Sequence, residues 1–110
     1  MNIASRDEGG VTVVGFEGKL DTGTSPDAES HLKQVLDDGA QKVLVDFGKL
    51  DFISSAGLRV LLATAKRLET GGGQLRICAL NEVVYEIFEI SGFSTILSVF
   101  DSEQDALAGF

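Results

Sequence analysis

The chain has 110 residues, a formal net charge of −8, and hydrophobic and charged fractions of 44% and 24%. This length favours one compact domain over residues 1–110, and the composition argues against wholesale disorder. The nine basic residues are scattered among 17 acidic ones, which argues against binding to nucleic acid or to an anionic membrane surface.

No apolar run approaches the roughly 20 residues that a transmembrane helix needs, and the acidic, glycine-containing start of the chain is not typical of a signal peptide. The one cysteine, Cys78, lies in an apolar run and is predicted to be a buried small hydrophobic residue. A single cysteine excludes an internal disulfide and is typical of a reducing compartment. We therefore expect a cytoplasmic protein.

The first half of the chain contains segments rich in β-branched and apolar residues, separated by turn-forming residues. The predicted strands are 2–6, 11–16 and 42–47, with a turn at 7–10 and a loop at 17–25. Ser25, followed by Pro26, predicts the cap and first position of a helix, which Gly39 ends. The uninterrupted apolar run of the third strand is typical of a strand buried on both faces.

The second half alternates helices with strands. A helix is predicted from about Gly57 to the glycines at 71–73, because apolar residues recur along one face of it. These are Leu58, Leu61, Leu62, Ala65 and Leu68. Asn81 is predicted to cap the next helix, which stops at Ser91. The remaining predicted elements are strands at 74–80 and 95–100 and a terminal helix that Asp101 opens and that contains Leu107.

The resulting order predicts an α/β fold with a mixed, mostly parallel sheet of four to five strands and about four helices. Functional groups of such a sheet gather in the loops after the carboxyl ends of its strands. The relevant loops are 17–25, 50–57 and 80–82. If they share one edge, Asp21, Thr22 and Thr24 of the first loop are neighbours of Asp51, Ser54 and Ser55 of the second.

The sequence offers little support for catalysis. The single histidine, His31, falls inside the first predicted helix, and the serine pair is not set in a G-x-S-x-G motif. His31 and Cys78 lie in different elements, so a metal site is not expected. The glycines at 71–73 follow a helix, whereas a phosphate-binding loop precedes one. We therefore predict a protein that is not an enzyme and that needs no cofactor.

The serine pair Ser54–Ser55 has two interpretations. One serine before a helix is most often its cap. However, a cap needs one hydroxyl, and this loop has two, followed by the small residues Ala56 and Gly57. A helix start also tolerates a phosphate, because its free N–H groups and positive dipole end favour anions. From the residues alone, both interpretations stay open.

Several segments resemble the STAS domains of bacterial anti-sigma factor antagonists. They are GKLDT at 18–22, KVLVDF at 42–47, LDFISSAGLRVLL at 50–62 and NEVVYEIFEISGF at 81–93. The resemblance covers nearly the whole chain and implies a single STAS domain. It also implies a partner-switching regulator. The unphosphorylated protein would bind a serine kinase that doubles as an anti-sigma factor, phosphorylation would end that binding, and a metal-dependent serine phosphatase would restore it.

The resemblance also implies roles for individual residues. The phosphoacceptor of the family lies two positions before the motif glycine, which corresponds to Ser55, with Ser54 as the alternative. Ser54 occupies a position where the family often has Asp. Residues expected to contact or dock the partner are Asp21, Thr22, Ser54, Gly57, Leu58 and Arg59. We expect the free protein to be a monomer, with neither nucleic acid nor membrane as a partner.

A different function class stays open beside this one. STAS domains also occur in transport-associated proteins and in scaffolds, which implies, as an alternative, a constitutive scaffold or transport-accessory subunit whose serines serve only as helix caps. A third hypothesis, a small nucleotide-binding or hydrolytic enzyme, has the least support from the residues.

Overall fold

The protein is a five-stranded mixed sheet with four α-helices, and the computed structural model describes all residues from 1 to 110. The strands are β1 (Asn2–Glu8), β2 (Val11–Leu20), β3 (Lys42–Ile53), β4 (Gln74–Cys78) and β5 (Ser98–Phe100). The helices are α1 (Ser25–Asp37), α2 (Ser55–Thr70), α3 (Glu82–Ile90) and α4 (Glu103–Leu107), with a 3₁₀ turn at Phe93–Thr95.

The strands lie in their chain order, β1-β2-β3-β4-β5. The β1–β2 hairpin is antiparallel, and the pairs from β2 to β5 are parallel. This confirms the predicted alternation of strands and helices and the antiparallel start. A parallel sheet with sequential order needs a helical connection between neighbouring strands, and α1, α2 and α3 supply those connections.

Alternate residues of each strand point to opposite faces of the sheet, and each face has its own apolar cluster. The larger cluster joins β2 and β3 to α1, α2 and α3, and at its centre the rings of Phe16 and Phe47 meet edge to face at 5.5 Å. The smaller cluster lies on the opposite face beneath α4 and contains Cys78. Cys78 is fully buried, and burial raises the pKa of its thiol to about 12. The prediction of a buried cysteine is therefore confirmed.

The central strands are longer than their apolar runs suggest. Residues 17–20 and 50–53 were expected in loops, yet they extend β2 and β3 by pairing with each other, as in Leu20 with Ile53. The regular pairing of β2 with β3 is interrupted by register shifts between Gly15 and Glu17 and between Gly18 and Lys19. Such irregularities allow polar and glycine residues within a paired strand. Strand therefore takes up the first four residues of each predicted loop, 17–20 of 17–25 and 50–53 of 50–57.

Several other boundaries also differ from the predicted ones. The cap position of α1 is Thr24, not Ser25, and it makes no side-chain cap hydrogen bond. Ser25 is already helical, and its hydroxyl donates a hydrogen bond to the carbonyl of Asp21 at 2.5 Å. Ser102, not Asp101, caps α4, since its Oγ accepts the N–H of Asp105 at 3.1 Å. The predicted stop of α1 at Gly39 is confirmed, as this residue has a φ of +99°.

The strands on either side of α3 are shorter than predicted. β4 ends at Cys78, because Ala79 turns the chain with a φ of +63°. The segment from Phe93 to Thr95 forms a 3₁₀ turn, which leaves only Ser98–Phe100 for β5. At the other end of the chain, β1 continues to Glu8.

The C-terminal segment is held to the sheet by Arg76 of β4. Its guanidinium donates hydrogen bonds to the carbonyls of Ala106 and Ala108, both at 2.9 Å, and of Gly109 at 3.2 Å. The same group lies 5.0 Å from the ring centroid of Phe100 and 4.4 Å from that of Phe110. These contacts fix α4 over the smaller apolar cluster. None of the helices has the length and apolarity needed to cross a membrane.

Candidate functional site

Two connections, one after β2 and one after β3, meet at the carboxyl end of the sheet. Leu20 and Ile53 are paired at the ends of these strands. One residue further along, the N–H of Ser54 donates a 2.8 Å hydrogen bond to the carbonyl of Leu20. The predicted proximity of the Asp21 and serine loops is therefore confirmed, although the link between them is made by the backbone.

The turn from β2 into α1 is organised by Asp21 and Thr24. Oδ1 of Asp21 accepts the N–H of Thr24 at 3.1 Å, and the N–H of Asp21 donates to Thr24 Oγ1 at 2.9 Å. The hydrogen bond from the Thr24 backbone, followed by that from its side chain, lowers the pKa of Asp21 below its ordinary value. Asp21 thus acts as the hydrogen-bond acceptor that shapes this turn. Thr22, the next residue, is exposed.

The two serines occupy different positions at the start of α2. Ser54 is the cap residue, with extended backbone, and its Oγ accepts the N–H of Gly57 at 3.3 Å. Ser55 is the first helical residue; its side chain is exposed and hydrogen-bonds to no other group of the chain. Helix α2 therefore starts two residues earlier than the predicted Gly57. One hydroxyl shapes the helix start, and the other is free at the surface.

Gly57 is required by packing at this point. A Cβ atom on it would lie 2.7 Å from Cγ of Leu20 and 2.8 Å from Cγ1 of Ile53, well inside normal contact distances. The first turn of α2 can therefore lie against the ends of β2 and β3 only if this position has no side chain. This contact fixes how far the serine pair stands from the sheet.

The remaining predicted contact residues divide between the interior and the surface. Gly57 and Leu58 are buried, and Leu58 belongs to the larger apolar cluster. Arg59, the next residue, is exposed. Of the three residues at the helix start that the resemblance implies as docking residues, only Arg59 is therefore exposed.

Asn81 links the third loop to the same edge. Its Oδ1 accepts the N–H of Val84 at 2.8 Å, which confirms the predicted cap of α3. Its side-chain N–H₂ donates to the carbonyl of Leu50 at 2.9 Å. This second bond, which holds α3 against β3, was not predicted. An asparagine before a helix signals the cap, but nothing in the sequence identifies a distant carbonyl as its other partner.

The chemistry available at this edge is that of an exposed hydroxyl on a helix N-terminus. The first turn of α2 carries no acidic residue. The N–H groups of Ser55 and Ala56 precede the first intrahelical hydrogen bond, which runs from Leu58 to Ser54, so they remain open to an anion. No group of three His, Cys, Asp or Glu side chains converges to hold a metal ion. The edge therefore offers an exposed hydroxyl beside free N–H groups at a helix N-terminus.

The fold and this edge define a small α/β domain with an exposed hydroxyl at the start of a central helix. The model of the STAS domain matches residues 2–106, and the chain belongs to the STAS domain family. The curated proteins to which it is similar include anti-sigma factor antagonists. BtrV of Bordetella bronchiseptica, named as a candidate anti-sigma factor antagonist, is 41% identical over 101 residues, which cover 92% of this chain and 87% of that protein. The anti-sigma F factor antagonist of Paenibacillus polymyxa is 28% identical over 112 residues, covering 97% and 92% of the two chains.

Solved structures show the same fold. A candidate anti-sigma factor antagonist of Thermotoga maritima superposes with a TM-score of 0.90 at 17% identity, covering 96% of this chain and 91% of that one. The Bacillus cell fate determinant SpoIIAA in its phosphorylated form gives a TM-score of 0.72 at 18% identity, covering 96% of each chain. The predicted fold class and family are therefore confirmed.

Proposed function

We propose that the protein is a phosphorylation-controlled partner-switching regulator with Ser55 as its phosphoacceptor. In its unphosphorylated form it binds a serine kinase that also acts as an anti-sigma factor, and it is released when Ser55 is phosphorylated. A metal-dependent serine phosphatase then restores the binding form. The single observation that carries this proposal is that the two serines have different roles. Ser54 caps α2, whereas Ser55 is exposed and its hydroxyl makes no hydrogen bond within the chain.

Phosphorylation at Ser55 would change the surface without removing an interaction that the fold uses. In the transfer, Oγ forms a bond to the γ-phosphorus of ATP, ADP leaves, and the hydroxyl proton passes to a base of the kinase. The product gains a charge of about −1.5 to −2 at neutral pH. The open N–H groups at the start of α2 and its dipole favour that charge. At Ser54, in contrast, modification would occupy the oxygen that accepts the N–H of Gly57.

The exposed neighbours of Ser55 supply the proposed contacts of the partner. Thr22 and Arg59 are exposed, and Asp21 and Ser54 are half-buried at the same edge. We assign Gly57 and Leu58 a positioning role, because the bare Cα of the first and the buried side chain of the second set where α2 begins. A new negative charge in the middle of such a small contact surface would weaken a complex formed without it.

The relatives support the same class of function. BtrV of Bordetella bronchiseptica and the Paenibacillus polymyxa protein are both named as antagonists of anti-sigma factors. The structure of a protein of the same fold, SpoIIAA, is known in a phosphorylated form. This supports the proposal that the fold can accommodate a phosphate group.

The acceptor can be identified by incubating the protein with its cognate serine kinase and ATP and mapping the phosphate by mass spectrometry. We expect one phosphate, on Ser55. Ser54→Ala is the matched control: it removes the neighbouring hydroxyl and should still be phosphorylated. Phosphate on Ser54 alone, or on neither serine, would contradict the assignment.

The switch itself can be measured by titration calorimetry with the same kinase. Ser55→Ala should bind as the wild type does and be insensitive to ATP, whereas Ser55→Asp should bind at least about tenfold more weakly, equivalent to 1.4 kcal/mol. Equal affinities of the two variants would refute the charge mechanism and favour the alternative, a constitutive STAS scaffold or transport-accessory subunit.

A further inference from the structure

A short segment around α3 carries most of the exposed large apolar side chains of the protein. Six such side chains exist in the chain, and four of them lie between residues 83 and 96. They are Val83, Tyr85, Ile90 and Ile96, with exposed fractions of 54%, 44%, 80% and 58%. Single exposed apolar residues are normal, but a local concentration marks an interaction surface.

The apolar residues of α3 form a continuous stripe. Val83, Ile87 and Ile90 are separated by four and three positions, which places them along one flank of the helix. Ile87 is half-buried and packs against the larger apolar cluster, whereas Val84 and Phe88 fill the face that points into it. Ile96 follows the 3₁₀ turn after α3. The stripe on α3 thus adjoins the core through Ile87 and is exposed at Val83 and Ile90.

A row of unpaired acidic side chains lies beside this stripe. Glu82, Glu86 and Glu89 are also separated by four and three positions, and all three are exposed. The ion pairs of the protein involve Arg6, Lys33 and Arg67 and none of these glutamates. The segment 77–110 contains six of the 17 acidic residues and none of the nine basic ones. The negative charge beside the stripe is therefore not neutralised locally.

This combination selects one kind of occupant. Nucleic acid and anionic membranes are repelled by the glutamates, and a second copy of the chain would bring the same negative row. An amphipathic helix with an apolar stripe and flanking Lys or Arg side chains matches both features. We propose that the α3 surface, defined as Val83, Ile87 and Ile90 with Glu82, Glu86 and Glu89, docks a basic amphipathic helix of another protein. This proposal does not depend on phosphorylation of Ser55.

The test uses a fluorescein-labelled, 16-residue helical peptide of Leu and Lys with all leucines on one face. One comparison peptide has Glu in place of Lys, and the other has the same composition in an order that scatters the leucines. Fluorescence anisotropy should show binding of the first peptide at least tenfold tighter than of either comparison peptide. Amide shifts in the NMR spectrum should map to residues 82–96.

Two variants separate the contributions of the surface. Ile90→Gln should lower the affinity for the basic amphipathic peptide at least about fivefold. The double variant Glu86→Gln/Glu89→Gln should lower both this affinity and its dependence on salt concentration. The matched controls are Phe52→Gln, which removes an exposed apolar side chain elsewhere, and Glu29→Gln, which removes an exposed helical charge on α1. Both controls should bind as the wild type does, and circular dichroism checks that all variants are folded.

Three results would overturn the proposal. One is equal binding of the peptide with scattered leucines, and a second is unchanged affinity of Ile90→Gln. The third is sedimentation of the wild type as a dimer that Ile90→Gln converts to a monomer, since a second copy would then occupy the stripe.

Discussion

The different positions of the two serines predict opposite consequences of removing them. Ser54→Ala deletes the hydroxyl that accepts the N–H of Gly57, whereas Ser55→Ala deletes an exposed hydroxyl that the fold does not use. The two substitutions remove the same atom from adjacent residues. Each is therefore the control for the other.

The magnitude follows from the geometry of the cap. Replacing a serine cap by alanine costs about 0.5–2 kcal/mol. The hydrogen bond of Ser54 is 3.3 Å long, beyond the usual range for N–H···O contacts, so we expect a cost near the lower end, about 0.5–1 kcal/mol. Ser55→Ala should lie within about 0.5 kcal/mol of the wild type, as is usual for surface positions.

Urea denaturation followed by circular dichroism measures both changes. With a slope of about 1.5 kcal/mol per molar urea, the midpoint of Ser54→Ala should fall by about 0.3–0.7 M. Ser54→Asp should restore it, because aspartate is an equally good cap and its charge suits the helix N-terminus. Equal losses for the two alanine variants, or no recovery with Asp, would refute the assignment of Ser54 as the cap.

Gly57→Ala should destabilise the protein by about 1 kcal/mol in urea denaturation, because overpacking against Leu20 and Ile53 costs about 1–3 kcal/mol and exceeds the roughly 1 kcal/mol gain in helix propensity; a gain in stability would contradict the packing argument. Asp21→Asn should be less stable than the wild type near pH 7. The difference in stability should shrink below about pH 4. Because the pKa of Asp21 is lower in the folded protein than in the unfolded chain, the charged carboxylate stabilises the fold at neutral pH, and this stabilisation is lost as Asp21 is protonated in acid. A difference that grows in acid would contradict this direction. Arg76→Gln should accelerate amide hydrogen exchange in α4, because three hydrogen bonds to the C-terminal carbonyls are removed; unchanged exchange there would contradict its anchoring role.

Much of the fold was predictable because local signals and the apolar pattern agree. The buried runs of β3 and β4, the apolar face of α2 and the cap at Asn81 were each predicted from neighbouring residues and are found in place. The errors occur where pairing with a distant strand overrides local preference. The ends of β2 and β3 are strand only because Leu20 and Ile53 pair with each other.

The candidate site was predictable in its location but not in the roles of its members. The alternation of strands and helices indicated that the loops of Asp21 and of the serine pair share one edge, and the hydrogen bond between Ser54 and Leu20 confirms this. The burial of Leu58 agrees with the apolar face predicted for α2, whereas the close contact of Gly57 with Leu20 and Ile53 has no local signal in the sequence. Which side of a first turn faces the core depends on how the helix lies on the sheet.

The sequence by itself determined the α/β class, the order of the elements and the resemblance to anti-sigma factor antagonists. These follow from local periodicity, from turn chemistry and from a motif that is continuous in the chain. Only the tertiary structure decided that Ser54 caps α2 while Ser55 is free, and that Gly57 must lack a side chain. Both depend on the contact between the start of α2 and the ends of β2 and β3, which brings together residues more than 30 positions apart.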